Sequence, residues 1–352
     1  MKHTTIGLDI AKRVFQVHAV DADSGELTRK QLKRGELLEY FVRLPAALVV
    51  MEACGASQHW ARELQKLGHE VKLIAPQFVR PFVKTNKNDA ADAQAIWTAA
   101  QQPEMRFVAI KTEEQQAVLA LHAIRQQLIK NRTGYVNQLH GLMAEFGVCL
   151  PRGWKSMLPQ AVAVLTDQSS LIPGLLRAEL NRQIERVKAV SGQIMDVEHH
   201  LAAWKHKERE CERIAAIPGV GLLTATAAVA TIGDARTFKS GRQFAAYLGL
   251  VPRQSGTGGR VQLLGISKRG DKYLRTLLIH GARGVLSRTG PEAKDTWLGK
   301  LTYRRPTNVA AVALANKRAR QIWALMAYQR TYEPNHAMAV TCDVARETTR
   351  GV

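Results

Sequence analysis

The sequence predicts an α/β layer at the amino end followed by a mainly helical remainder. Three observations carry that expectation. Short apolar runs between Thr5 and Leu27 are separated by polar turns and then give way to alternating helix and strand patterns as far as Ile74. From Glu114 onward, apolar residues instead recur at steps of three, four or seven over two long stretches. The charge is also uneven: the 352 residues carry 50 Lys and Arg against 30 Asp and Glu, a net +20, and the stretch from Cys211 to Arg330 alone accounts for +15 of it.

Taken in order, Thr5 to Ile10 and Val14 to Val20 read as strands, and a polar turn at Asp21 to Gly25 leads to a third strand near Leu27, which makes a meander. A helix is expected from Glu36 to Arg43. Ala47 to Met51 is a continuous apolar run of the kind found in a strand buried on both faces, and it ends at Glu52. A helix from Ser57 to Leu67 then leads through Gly68 to a strand at Val71 to Ile74. Further on, Leu121, Ile124, Leu128, Tyr135, Leu139, Leu142 and Phe146 mark one long amphipathic helix. Leu176, Leu180, Ile184, Val187, Val190, Ile194, Val197, Leu201 and Trp204 mark a second, and the spacing suits an antiparallel pair or coiled coil. The segment between them, Gly147 to Gly174, reads as a connection containing Pro and Gly, and no role is assigned to it. Arg177, Arg182, Arg186 and Lys188 are expected on the outer face of the second helix. A last helix runs through Ala310 to Tyr328, and the chain past Thr331 reads as a disordered tail.

Composition narrows the function. A net charge this positive points to a polyanionic partner, and its concentration in one third of the chain is the footprint expected for nucleic acid. The four cysteines, at 54, 149, 211 and 342, show no Cys-x-x-Cys spacing, and the amino-terminal MKHTTIGLDIAK has no apolar signal core, so a reduced, cytoplasmic protein is expected. The uncharged run from Ile214 to Gly233 contains Pro218, Gly219, Gly221 and three threonines, which argues against a membrane span. His199, His200, His206 and Cys211 lack zinc-ligand spacing.

The acids are more informative. Asp89 and Asp92 are three residues apart at the start of a helical pattern, so both face one way. Taken alone they read as a plain N-cap and a solvated first-turn residue. In an α/β layer, however, Asp9 lies in the first strand and Glu52 at the carboxyl end of the fourth, and neighbouring strands are only about 5 Å apart. Four carboxylates meeting there would form an all-oxygen site suited to Mg²⁺ or Mn²⁺ and to in-line phosphoryl displacement. Scattered strand-end and capping acids are the alternative.

Three carboxyl-terminal stretches suggest nucleic-acid contact. Ile217-Pro218-Gly219-Val220-Gly221 separates two helical stretches in the manner of a helix-hairpin-helix, in which Gly219 and Gly221 would let backbone N–H groups approach a phosphate; a plain interhelical turn fits the same residues. Arg253 to Arg260, with Ser255 between the arginines, reads as a mobile glycine-rich loop. There a serine could attack a phosphate if a metal or base were supplied, or could be a simple turn residue. Lys268, Arg269, Lys272 and Arg275 form a basic helix start.

Together, GLDIAK at Gly7 to Lys12, MEACG at Met51 to Gly55, NDAADA at Asn88 to Ala93, IPGVG at Ile217 to Gly221, FAAYLGLVPRQSGTGG from Phe244 and GISKRGDKYLR from Gly265 resemble the DEDD transposases of insertion sequences, relatives of the pilin-gene invertases. The order and distances of the motifs match over about residues 4 to 330. The resemblance implies a RuvC-like (RNase H fold) domain over 1–110, whose tetrad falls on Asp9, Glu52, Asp89 and Asp92 and binds Mg²⁺. It also implies a coiled-coil dimerisation region over 111–210 and a transposase domain over 211–330 with its nucleophilic serine at Ser255, followed by the tail at 331–352. It further implies a homo-oligomer, dimer or tetramer, in which the serine of one protomer works beside the acids of another. DNA is the expected substrate and an element-encoded bridge RNA the expected guide, in the cytoplasm at the nucleoid. The rival readings are a Holliday-junction resolvase that activates water with the same acids, and a non-catalytic nucleic-acid-binding protein.

Overall fold

The computed structural model describes residues 4–83, 89–167, 169–257, 260–289 and 295–334. The chain divides after Thr112 into two compact units.

The amino-terminal unit is built on a six-stranded sheet in the order β3-β2-β1-β4-β5-β6. Strands β1 (Thr5–Ile10), β2 (Val14–Val20) and β3 (Leu27–Lys33) form the antiparallel meander expected from their turns. The fourth strand, β4 (Leu48–Glu52), pairs parallel with β1, and β5 (Glu70–Ile74) pairs parallel with β4. Parallel pairing needs crossovers, which helices α1 (Leu37–Val42) and α2 (Ser57–Lys66) supply. After a short helix, α3 (Pro76–Val79), and the longer α4 (Asp89–Ala100), a two-residue strand, β6 (Phe107–Val108), adds antiparallel to β5 and closes that edge; the sequence pattern does not announce it.

Strand alternation assigns the two faces of the sheet. Leu8, Phe15, Val17, Val49 and Met51 share a core with Trp60 and Leu64 of α2 and Phe41 of α1. On the opposite face Val50 and Ile74 pack with Ala95, Ile96 and Ala99 of α4. An uncharged strand such as Leu48–Met51 is therefore covered on both sides, in keeping with its unbroken apolar pattern.

The second unit starts with two long helices, α5 (Glu113–Ala144) and α7 (Gly174–Lys207). They run antiparallel, since Arg125 pairs with Glu198 at one level and Gln183 donates to Gln138 at another. Between them the expected connection contains a helix, α6 (Trp154–Thr166), whose Met157, Leu158, Ala161 and Leu165 pack on Leu139, Met143, Leu180 and Ile184. A proline at 159 inside this helix made the segment read as a linker. Of the four basic residues expected on the outer face of α7, Arg177 is not a solvated side chain. Its guanidinium donates to the carbonyls of Leu165, Asp167, Ser170 and Ile172 and so ties the end of α6 to the start of α7.

The carboxyl-terminal part packs α8 (Arg209–Ala215), α9 (Leu222–Ile232), α10 (Gly241–Tyr247), α11 (Lys272–Leu286), α12 (Trp297–Arg304) and α13 (Thr307–Tyr328) around a core that includes Phe244, Leu274, Leu278, Leu314 and Ile322. Between α10 and α11 lies a two-stranded antiparallel hairpin, β7 (Pro252–Thr257) and β8 (Arg260–Ile266). That hairpin replaces the loop expected from Arg253 to Arg260. Among the described residues no helix is long and apolar enough to cross a membrane, and the run from Ile214 to Gly233 holds a turn and α9 instead. The expected tail from 335 onward lies outside the described residues.

Candidate functional site

The amino-terminal acids are arranged by the sheet. Leu8 is registered with Met51 across the parallel β1–β4 pair, so the next residue on each strand, Asp9 and Glu52, stand side by side at the carboxyl ends. Alternation puts both on the α4 face: Asp9 follows Gly7 by two, and Glu52 follows Val50 by two. Both carboxylates are half-buried and close enough to the half-buried Cys54 to act on it. Burial first, then the charges of Glu52 and Asp9, push the Cys54 thiol above its usual range.

Gly7 brings α4 to this face. A Cβ there would collide with the Ala93 carbonyl oxygen and come within 2.9 Å of Trp97 Cβ, so α4 rests directly on the β1 backbone. Asp92 immediately precedes Ala93 on α4 and is half-buried. Asp89 opens the same helix, but its side chain lies outside the described residues. The arrangement thus puts Asp9 and Glu52 at adjacent strand ends beneath the helix that carries Asp92. Among the described residues no three or more His, Cys, Asp or Glu side chains form a metal-holding group. The donors that do share this face are carboxylates, oxygen ligands of the type a hard divalent cation takes.

In the second unit the basic motifs converge on the root of the hairpin. Gly249, after α10, and Gly270, before α11, both have positive φ (68° and 73°). A Cβ on Gly249 would strike the Arg269 carbonyl oxygen, and one on Gly270 would overlap the Tyr247 carbonyl oxygen, so the two chain segments cross backbone to backbone. Ser267 and Lys268 donate N–H groups to the carbonyls of Val251 and Gly249 at 2.8 and 3.1 Å. Above this root, Ser255 is registered with Gln262, and both are exposed. Gln254 and Gly256 face Leu263 and Val261, whose side chains are 63 and 66 % exposed. The hairpin therefore has a polar side carrying Ser255 and an uncovered apolar side.

Arg253, Arg260, Lys268, Arg269 and Lys272 are exposed. Arg275 differs from expectation: it is 8 % exposed, and its guanidinium donates to the carbonyls of Leu248 and Arg269 at 2.8 and 2.9 Å. It pins the hairpin root and is not available to a phosphate. The turn Ile217 to Gly221 does join two helices, α8 and α9, but Gly219 faces α11. A Cβ on it would lie 2.8 Å from the Gly281 carbonyl oxygen, which makes that glycine a packing contact, whereas Gly221 is open.

A further constellation is absent from the sequence reading. His122 on α5 is 1 % exposed and lies between Tyr273 Oη (2.9 Å from Nδ1) and Thr226 Oγ1 (3.0 Å from Nε2). Thr226 spends its own hydroxyl proton on the Leu222 carbonyl at 2.8 Å, so it accepts from His122 Nε2–H while Tyr273 donates to Nδ1. Burial, followed by the charge of Arg125, lowers this imidazole to about 4. A lone histidine in an amphipathic helix gave no signal, because its partners come from α9 and α11.

The chain matches a family model described as transposase, of the DEDD type, over residues 6–147, and a second described as the transposase IS116/IS110/IS902 family over residues 211–298. It is 46 % identical over 337 residues, covering 95 % of this chain and all of the relative, to a probable family 20 transposase of Pseudomonas aeruginosa. The chain belongs to the IS110-type DEDD transposases of insertion sequences. Two other relatives of this transposase are the transposase for insertion sequence element IS1111A of Coxiella burnetii, 43 % identical with 93 % of this chain and 90 % of the relative covered, and that for IS1328 of Yersinia enterocolitica, 40 % identical with 92 and 96 % covered. The first family match spans the strand ends that bear Asp9 and Glu52, and the second spans the hairpin that bears Ser255.

Proposed function

We propose that this transposase cuts and rejoins DNA through a covalent bond between Ser255 and a DNA phosphate, with Asp9, Glu52, Asp89 and Asp92 acting on the same phosphate. The reading is supported above all by the pairing of Asp9 and Glu52 at adjacent strand ends on the face that Gly7 opens to α4. Those four residues would hold Mg²⁺ or Mn²⁺, which when bound neutralises charge that develops on the phosphate oxygens.

Ser255 Oγ would form a bond to phosphorus as the bond to one deoxyribose oxygen breaks, and the serine proton ends on the departing oxygen. The phosphoserine ester keeps the energy of the broken diester. A deoxyribose hydroxyl from another strand then displaces Ser255, so exchange needs no ATP. The serine is weak at its ordinary pKa and needs activation. Among the described residues no base hydrogen-bonds to it on the exposed hairpin. This favours a site completed when the hairpin of one protomer reaches the acids of another in a dimer or tetramer. The exposed Arg253, Arg260, Lys268, Arg269 and Lys272 would hold DNA or an element-encoded bridge RNA by backbone phosphates, and such a guide would leave base selection to pairing. The domain limits carried by this reading are 1–110 for the acid-bearing domain, 111–210 for the helical pair and 211–330 for the serine-bearing domain.

The test incubates the full chain, with any RNA that co-purifies, with Mg²⁺ and DNA carrying its own element's ends, and resolves the products on a denaturing gel. A protein–DNA adduct that disappears in Ser255→Ala supports the covalent mechanism. Cleavage without adduct, equal in Ser255→Ala, replaces it with metal-activated water as in a resolvase. A mixed oligomer of Ser255→Ala with Asp9→Asn should recover cutting if the site is shared, and stay inactive if it is not.

A further inference from the structure

Edge strand β3 carries cations on the face of the acids. Across the meander Asp9 is registered with Gln16 and Gln16 with Gln31, and Gln16 Nε2 donates to Gln31 Oε1 at 3.3 Å. Glu52, Asp9, Gln16 and Gln31 thus form one row across four strands on the α4 face. Arg29 and Lys33 flank Gln31 on β3 and share its face by alternation, and all three are exposed. Lys30 and Leu32 take the other side, Lys30 over the Tyr40 ring at 4.9 Å and Leu32 in the core beneath α1 and α2. α4 reaches this strip only at its margin, where Arg29 approaches Gln94 Oε1 at 3.5 Å. Among the described residues no carboxylate forms an ion pair with the Arg29 guanidinium or the Lys33 ammonium, while Glu36 Oε2 accepts from the Lys33 backbone N–H at 2.8 Å. His18, registered with Arg29, is buried, and burial followed by the Arg29 charge lowers its pKa, so the positive charge of the strip belongs to Arg29 and Lys33.

We propose that Arg29, Gln31 and Lys33 form a backbone track for one strand of the DNA being cut, leading away from Asp9 and Glu52 along the exposed edge of the sheet. The inference rests on the reading of those acids as the cutting site and adds where the strand lies. Residues two apart on β3 advance about 6.5 to 7 Å, close to the spacing of successive phosphates on an extended strand, so Arg29 and Lys33 match alternate phosphates with Gln31 between them. Gln31 stands two strand spacings, about 10 Å, from Asp9, near enough for a strand held here to continue onto the acids. A cationic strip beside a carboxylate site also offsets the repulsion that two acids exert on an arriving phosphate. If the edge of β3 pairs with a peptide strand instead, the salt slope of DNA binding stays unchanged in the double variant and no DNA crosslink maps to this strand.

The full chain is titrated with a single-stranded DNA oligonucleotide carrying 5-iodouracil, with Ca²⁺ in place of Mg²⁺, over a series of salt concentrations. The Arg29→Ala/Lys33→Ala double variant should lower the slope of log affinity against log salt by about 1.4, the release expected for two phosphates of a single strand. Lys30→Ala, on the opposite face, should leave the slope unchanged. Ultraviolet crosslinks should map to the peptide spanning residues 27–34 in wild type and be lost in the double variant. An unchanged slope with no crosslink there overturns the track, as does an equal loss in Lys30→Ala. In the cutting assay, Asp9→Asn inactive beside a double variant that cuts as wild type sinks the track alone. Asp9→Asn that cuts normally sinks the reading of the acids, while the binding data still judge β3. A thermal melt matching wild type shows that the variants fold.

Discussion

Gly7 carries a steric requirement that can be tested directly. Its missing Cβ is what lets the Ala93 backbone and Trp97 of α4 lie on β1, so Gly7→Ala must push the helix away or strain the strand. Overpacking of this kind costs about 1–3 kcal/mol. The variant should show that loss in urea unfolding and should lose DNA cutting by more than its folded fraction accounts for, because Asp92 moves with α4. Asp9→Asn should instead keep wild-type stability and abolish cutting. His122 gives a pH prediction. Its pKa is about 4 in the folded chain against an ordinary 6.5, so between those values the unfolded chain binds more protons and stability rises with pH. The contribution is complete above about pH 6.5 and is lost on acidification toward 4, at most about 3 kcal/mol. Denaturant melts between pH 4 and 7 should show this slope in wild type, and His122→Gln should flatten it.

The hairpin β7–β8 depends on its root. Isolated two-stranded hairpins are marginal in water, and this one has exposed side chains on both sides. Its position is set below, where Gly249 and Gly270 cross and Arg275 clamps the Leu248 and Arg269 carbonyls. Gly270→Ala places a methyl group against the Tyr247 carbonyl at a positive φ, and Arg275→Ala leaves two carbonyls without their charged donor. The arginine change should cost about 2–3 kcal/mol. Limited proteolysis of Arg275→Ala should cut first between residues 250 and 270 while the amino-terminal unit stays intact; a wild-type digestion pattern would remove this role.

Over the whole molecule, charge and division into units govern behaviour. With a net +20, of which +15 lies between Cys211 and Arg330, affinity for any nucleic acid should fall steeply and linearly on a log–log plot against salt. A fragment of residues 1–112 should show a much smaller slope than the full chain, since it lacks that segment. The two compact units have separate cores, so calorimetric unfolding should exceed the van't Hoff enthalpy of a single transition. Equality of the two enthalpies would show that the units unfold as one.

Much of the fold was legible before the structure because local patterns are read locally. The meander, the buried fourth strand ending at Glu52 and the two long helices follow from periods of two and of three to four, and the motif order carried the family. What escaped were features whose causes lie far apart in sequence. Ser255 read as a loop residue because glycine-rich segments look alike whether or not a partner strand, here Arg260–Ile266, pairs with them. Pro159 disguised α6, whose helicity comes from burial against α5 and α7. Arg275 read as a phosphate contact and Arg177 as a solvated outer-face residue because charge alone does not say whether carbonyls or solvent surround it; tertiary packing supplied the carbonyls. The alternation within each strand was visible in the sequence, but only the register of β1 against β4, of β1 against β2 and of β2 against β3 could bring Asp9 beside Glu52 and align both with Gln31, between Arg29 and Lys33, since register is a relation between segments that no single segment encodes.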